Sequence, residues 1–130
     1  MDFFSLTIPN KKEFVSSARL LATAIAGLSG FDVESIEDIR MAVGEACNNV
    51  VVHSEDSDKI DLEIELGEDN MRISVVDSGA GFERHLAEGI DPDKYEGSGL
   101  GLFIIDAVMD DVEIHCGDEN GTTITMTKKR

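Results

Sequence analysis

The chain has 130 residues, 42% of them hydrophobic, which is enough for one core of ordinary size and leaves little room for a second domain. Its 27 acidic against 11 basic residues give a formal net charge of -16, which opposes phosphate-backbone contacts and argues against nucleic acid as a partner. No segment has the apolar length needed to span a bilayer, and Met1 to Ser5 lack the basic and apolar regions of a secretory signal, so a cytoplasmic protein with no membrane role is expected.

Phe4, Leu6 and Ile8 alternate with Phe3, Ser5 and Thr7, the period of a half-buried strand ending at Pro9. A helix follows, with Asn10 and Glu13 at capping-box spacing and Phe14, Ala18, Leu21, Ile25 and Leu28 forming an apolar face before Gly30 stops it. A second helix is predicted from near Asp32 to about His53, its core stripe being Val33, Ile36, Ile39, Val43, Ala46 and Val50. Lys59 to Leu66 alternates throughout, with Ile60, Leu62, Ile64 and Leu66 on one face and Asp61, Glu63 and Glu65 on the other. Gly67 to Asn70 reads as a turn, and Met71, Ile73 and Val75 as the returning strand of a hairpin.

From Gly79 to Gly99 the pattern dissolves into a segment longer than compact domains usually leave without regular structure, which suggests a lid. A helix resumes from about Leu100 to Met109. Val112, Ile114 and Cys116 mark a strand, and Ile124 and Met126 a last one. The order β-α-α-β-β-lid-α-β-β implies one α+β domain over residues 1–130, a two-layer sandwich of a mixed sheet with helices on one face. Cys47 and Cys116 have no metal-cage spacing and read as reduced core thiols.

Four weak signals carry the chemistry. Asp77 lies in phase with Met71, Ile73 and Val75, so its carboxylate points inward at a strand end, followed by the glycines Gly79 and Gly81. Such a carboxylate can accept from the exocyclic amine of a flat ring, or be an ordinary turn residue. Gly97, Ser98, Gly99, Leu100 and Gly101 run straight into an apolar helix, so backbone N–H groups there can bind an anion or the segment can hinge the lid. No Gly-Lys-Ser/Thr follows, and no glycine-rich turn follows the first strand, so this is neither a P-loop nor a dinucleotide fingerprint. Glu45, Asn49 and His53 are spaced four apart on one helical face. Asn49 could hold Mg²⁺ against phosphates and Glu45 could take a proton from an attacking hydroxyl, while His53 suits the helix C-terminus. Thr122 falls in phase with Ile124 and Met126 and points inward, to share hydrogen bonding with Asp77 or to be satisfied by backbone. Together these describe a site for a purine nucleotide, ATP with Mg²⁺.

The same residues resemble the ATP-binding superfamily that includes DNA gyrase, the heat-shock chaperone ATPases and sensor histidine kinases, with its Bergerat fold. Glu45-Ala-Cys-Asn-Asn49 through His53 is similar to its Asn box, Asp77-Ser-Gly-Ala-Gly-Phe82 to its first glycine box, Gly97 to Gly101 to its second, and Gly121-Thr-Thr123 to its last. Within it the chain most resembles the stand-alone anti-sigma factor serine kinases of bacteria, through Glu45 to His53, Glu96 to Phe103, and less specifically Met109-Asp-Asp-Val112 and Ile124-Thr-Met-Thr-Lys128. The resemblance implies Glu45 as general base, Asn49 on Mg²⁺, Asp77 on the adenine amine, and the lid glycines on phosphates. It also implies a sigma factor and a phosphorylated antagonist protein as partners, and a homodimer. A terminal-phosphate contact from the lid would fall to Lys94, Arg84 or His85, since Tyr95 and Glu96 adjoin the second glycine box. The alternatives are a nucleotide-gated binding module without transfer activity, and a switch kinase that holds no sigma factor.

Overall fold

A computed structural model of the chain describes residues 1–54, 57–77, 98–116 and 121–130, and of 98–100 and 116 only the backbone. Eight-residue strands β1 (Asp2–Pro9), β2 (Lys59–Leu66) and β3 (Asn70–Asp77) follow the alternation of their side chains, as do β4 (Asp111–Cys116) and β5 (Thr122–Lys129). They form one sheet in the order β1-β2-β3-β5-β4. Every pairing among the described residues is antiparallel, where a mixed sheet was expected. The physical reason is that period-two alternation reports which face is buried and is the same for both strand directions.

Among the described residues three α-helices cover one face: α1 (Val15–Leu28), α2 (Val33–His53) and α3 (Ser98–Val108), with α2 in contact with both of the others. The core lies between the layers, where Ile39 and Val43 of α2 meet Ile60, Leu62, Ile64, Met71, Ile73, Val75, Ile124 and Met126. The opposite sheet face carries short hydroxyl side chains at its centre, and Ser74 and Thr125 hydrogen-bond across β3 and β5 at 3.1 Å.

The start of α1 departs from the expected capping box. A 3-10 turn over Lys12–Phe14 leads into the helix, and its N-terminal residue Phe14 makes no side-chain cap. The Asn10 amide instead donates to the carbonyls of Ser54 and Ser57, both at 2.9 Å, tying the end of β1 to the end of α2. The buried face of α1 is also rotated: Val15, Ala18, Ala22, Ile25 and Ala26 are inside, whereas Phe14 is exposed and Leu28 is 90% exposed. Small residues bring α1 close to α2, so alanine rather than leucine marks the contact. Gly30 ends α1 in the left-handed conformation, φ 86°, as its position suggested. Asp32 caps α2 by accepting from the Ser35 N–H at 2.8 Å, and Val33, expected in the core stripe, is exposed. Among the described residues no helix is long and apolar enough to cross a membrane.

Candidate functional site

The last two turns of α2 supply the first wall. Glu45 is half-buried and Asn49 is 3% exposed, one turn apart on the same face, with half-buried His53 a turn further on as the final helical residue. The N-terminal turn of α3 closes on them. A Cβ placed on Gly101 would stand 2.9 Å from Glu45 Oε2 and 3.6 and 3.7 Å from the Asn49 amide atoms, so a side chain here would displace the Glu45 carboxylate. The glycine loop begins helical earlier than expected, with Ser98, Gly99 and Leu100 already in α3. Its N–H groups belong to a first turn, where they have no carbonyl partner within the helix and favour negative charge.

The sheet supplies the second wall. Asp77 ends β3 and is 4% exposed, which bears out its inward direction. Thr122 begins β5 and is 3% exposed. It lies one step beyond the Val76–Thr123 pair, so carboxylate and hydroxyl occupy neighbouring strand ends. Gly121, φ 75°, makes the bend that delivers Thr122 there, a conformation that L side chains rarely adopt. Both walls reach the same end of the molecule, because Asn10 binds α2's C-terminal Ser54 carbonyl while Pro9 and Asp77 pair with the adjacent residues Lys59 and Ile60.

Two buried polar atoms here have no hydrogen-bond partner among the described residues: Asn49 Nδ2 and Thr122 Oγ1. An unmade bond on a buried polar group costs about 1–3 kcal/mol, so these two atoms, like Asn10 Oδ1 and Ser54 Oγ, keep the capacity for a further partner. The donor set is oxygen and amide, and no group of three or more His, Cys, Asp or Glu side chains able to hold a metal occurs among the described residues. A cation here would draw most of its ligands from a bound phosphate and from water. Cys47, between Glu45 and Asn49 in sequence, faces the core, and burial pushes its thiol up to about 12. It is an inert filler, as expected. The side chain of Cys116 lies outside the described residues, as do Gly79, Gly81, Gly97, Arg84, His85 and Lys94.

A groove of about 230 Å³ between α1 and α2 adjoins the site, lined by Arg19, Glu37, Arg40, Gly44, Glu45 and Asn48 among others. Sequence reading missed it. Gly44 makes the groove: the Arg19 side chain crosses α2 where a Cβ would be, 3.0 Å from its Nη1. Arg19 is half-buried and forms no ion pair among the described residues, whereas Arg40 and Glu37 pair at 3.4 Å on the surface. The available signal was Gly44 itself, since a glycine inside a helical pattern costs about 1 kcal/mol relative to alanine and usually answers a close approach.

Residues 8–128 match the model of the histidine kinase-like ATPase domain. A protein named serine-protein kinase RsbW from Listeria monocytogenes is 36% identical over 138 residues, covering 98% of this chain and 87% of its own. A protein of the same name from Halalkalibacterium halodurans is 41% identical over 133 residues, covering 95% and 80%. The solved RsbU and RsbW domains of a Mycobacterium tuberculosis protein superpose with a TM-score of 0.71 at 22% identity, over 98% of this chain and 32% of that one. The catalytic domain of the histidine kinase ThkA superposes at 0.51 with 17% identity, over 99% and 98%, which supports the likeness of fold. The chain belongs to the histidine kinase-like ATPase domain family.

Proposed function

We propose that this protein is an ATP-dependent serine/threonine protein kinase of the anti-sigma type, binding a sigma factor and phosphorylating the antagonist protein that releases it. The observation that carries the reading is the contact of Gly101, at the start of α3, with Glu45 and Asn49 on α2, next to two buried polar atoms that lack partners. The near full-length similarity to proteins named as serine kinases supports the choice of reaction.

In this reading the adenine amine donates to Asp77, and Thr122 completes the recognition of the base. The N–H groups of the α3 first turn, with Ser98, Gly99 and Gly101, hold the phosphates, and the resemblance adds Gly79, Gly81 and Gly97 to the nucleotide-binding set. Asn49 fits Mg²⁺ through its amide oxygen, a hard donor of the kind this cation prefers, and the bound ion would neutralise phosphate charge. Glu45 takes the proton of the acceptor hydroxyl as that oxygen bonds to the terminal phosphorus and the bridging P–O bond breaks, releasing ADP. The acceptor enters by the groove beside Glu45, where Arg19 is available to a carboxylate on the incoming protein. The same reading carries a homodimeric assembly.

Incubation with labelled ATP, Mg²⁺ and the cognate antagonist tests it. Wild type should transfer label to a Ser or Thr, and Glu45→Gln should lose at least about a hundredfold in kcat while still binding MgATP, in the range expected for removing a general base. Full activity in Glu45→Gln would remove Glu45 from the mechanism. Tight MgATP binding with no transfer by wild type would identify a nucleotide-gated binding module instead.

A further inference from the structure

Two stretches that the nucleotide site does not use, Met109-Asp-Asp-Val112 and the end of β5 at Lys128, meet at the far end of α3. Lys128 Nζ donates to the Val108 carbonyl at 2.5 Å and to Asp38 Oδ2 at 3.0 Å. Its side chain is only 13% exposed, unlike every other ion pair among the described residues, where both partners are 30% exposed or more. The next residues add two backbone ties: the Asp110 N–H donates to the Thr127 carbonyl at 2.9 Å, and the Lys129 N–H to the Asp110 carboxylate at 2.6 Å. The C-terminus of α3 is thus fixed to both α2 and β5.

The spacing gives the clamp its consequence. Asp38 to Glu45 on α2 and Val108 back to Gly101 on α3 are the same seven residues, roughly 10 Å along antiparallel helices at 1.5 Å per residue. The clamp at one end and the Gly101–Glu45 contact at the other therefore lie in register. An axial slip of α3 would carry Gly101 away from Glu45. We propose that Lys128 is a positioning residue for phosphoryl transfer: by holding α3 at its C-terminus to Asp38, it keeps the phosphate-binding first turn of α3 against Glu45 and Asn49. A lysine that merely capped the last carbonyls would need neither Asp38 nor the matched spacing. The inference rests on the kinase reading for its rate measurement and is independent of it for its structural one.

The test uses the full chain with Lys128→Met, which keeps the apolar stem, Lys128→Arg, which keeps the charge, and Asp38→Asn, which weakens the clamp from the other side. At a temperature well below all melting points, Lys128→Met should lower kcat for the antagonist about tenfold or more, as small misplacements do. Adenosine, which carries no phosphate for the α3 turn and in this reading is held by the sheet residues Asp77 and Thr122, should bind within about twofold of wild type. Lys128→Arg should recover most of the rate and Asp38→Asn should fall between. Amide exchange read in parallel should quicken in peptides covering residues 98–104 of Lys128→Met, at the end of α3 away from the substitution. An unchanged kcat with only a lowered melting point would overturn the proposal, as would a parallel loss of adenosine binding. If wild type transfers no phosphate the kinase reading fails, and exchange decides alone: unaltered exchange over residues 98–104 overturns the positioning role, and faster exchange there upholds it.

Discussion

At the scale of single residues, Gly101 separates stability from activity. Alanine is favoured over glycine in a helix by about 0.8–1.0 kcal/mol, and Gly101 has no positive φ that would make a side chain strained. The only close contact of an added Cβ is Glu45 Oε2 at 2.9 Å, the tip of a flexible side chain that can swing away. Gly101→Ala should therefore leave the melting temperature unchanged or raised, while moving the proposed base and lowering kcat at least about tenfold at saturating ATP and acceptor. Calorimetry beside steady-state kinetics checks both halves. Wild-type turnover in this variant would mean that the Glu45 position seen here is not the one used in transfer.

At the scale of elements, what was legible follows from what is local. β2 was read to its bounds because its alternation is unbroken, and Glu45 and Asn49 were set together because four-residue spacing places them on one face of α2. The inward turn of Asp77 and Thr122 came from the same arithmetic. Strand direction was not legible, nor was the face of α1, where Ala18, Ala22 and Ala26 outrank Phe14 and Leu28 because close packing depends on the partner surface. Contacts between distant residues left no period at all: Arg19 in the notch of Gly44, Lys128 on Val108, Asn10 on Ser54. The cap of α2 was local and is testable by pH. The Ser35 N–H donating to Asp32 holds that carboxyl below the ordinary range. A depressed pKa means that the stabilisation is fully present above about pH 4, the ordinary carboxyl value, and is lost as pH falls through the lower folded one. Asp32→Ala should thus have a lower urea midpoint than wild type at pH 7, with the gap narrowing below pH 4. A gap of constant size from pH 7 to pH 2.5 would show that the charge of the cap contributes nothing.

At the scale of the whole molecule, the charge of -16 becomes an argument about association. Among the described residues few acidic groups are neutralised locally: the pairs Lys59–Asp61 at 3.9 Å and Arg72–Glu113 at 3.8 Å are long and exposed, and such surface pairs contribute about 0–1 kcal/mol. The excess charge therefore stays available as a field around the protein. A field of one sign accelerates encounter with a partner of the other, and it acts on the association rate more than on the lifetime of the complex. The sigma factor proposed as partner must read DNA, whose phosphates demand a basic surface, and that surface is the natural complement of this one. Raising NaCl from 50 to 500 mM shortens the screening length from about 14 to about 4 Å, so the association rate should fall at least about tenfold while dissociation changes little. Stopped-flow or surface-binding kinetics across that range decide it. An association rate indifferent to salt would return the acidic surface to a role in solubility alone.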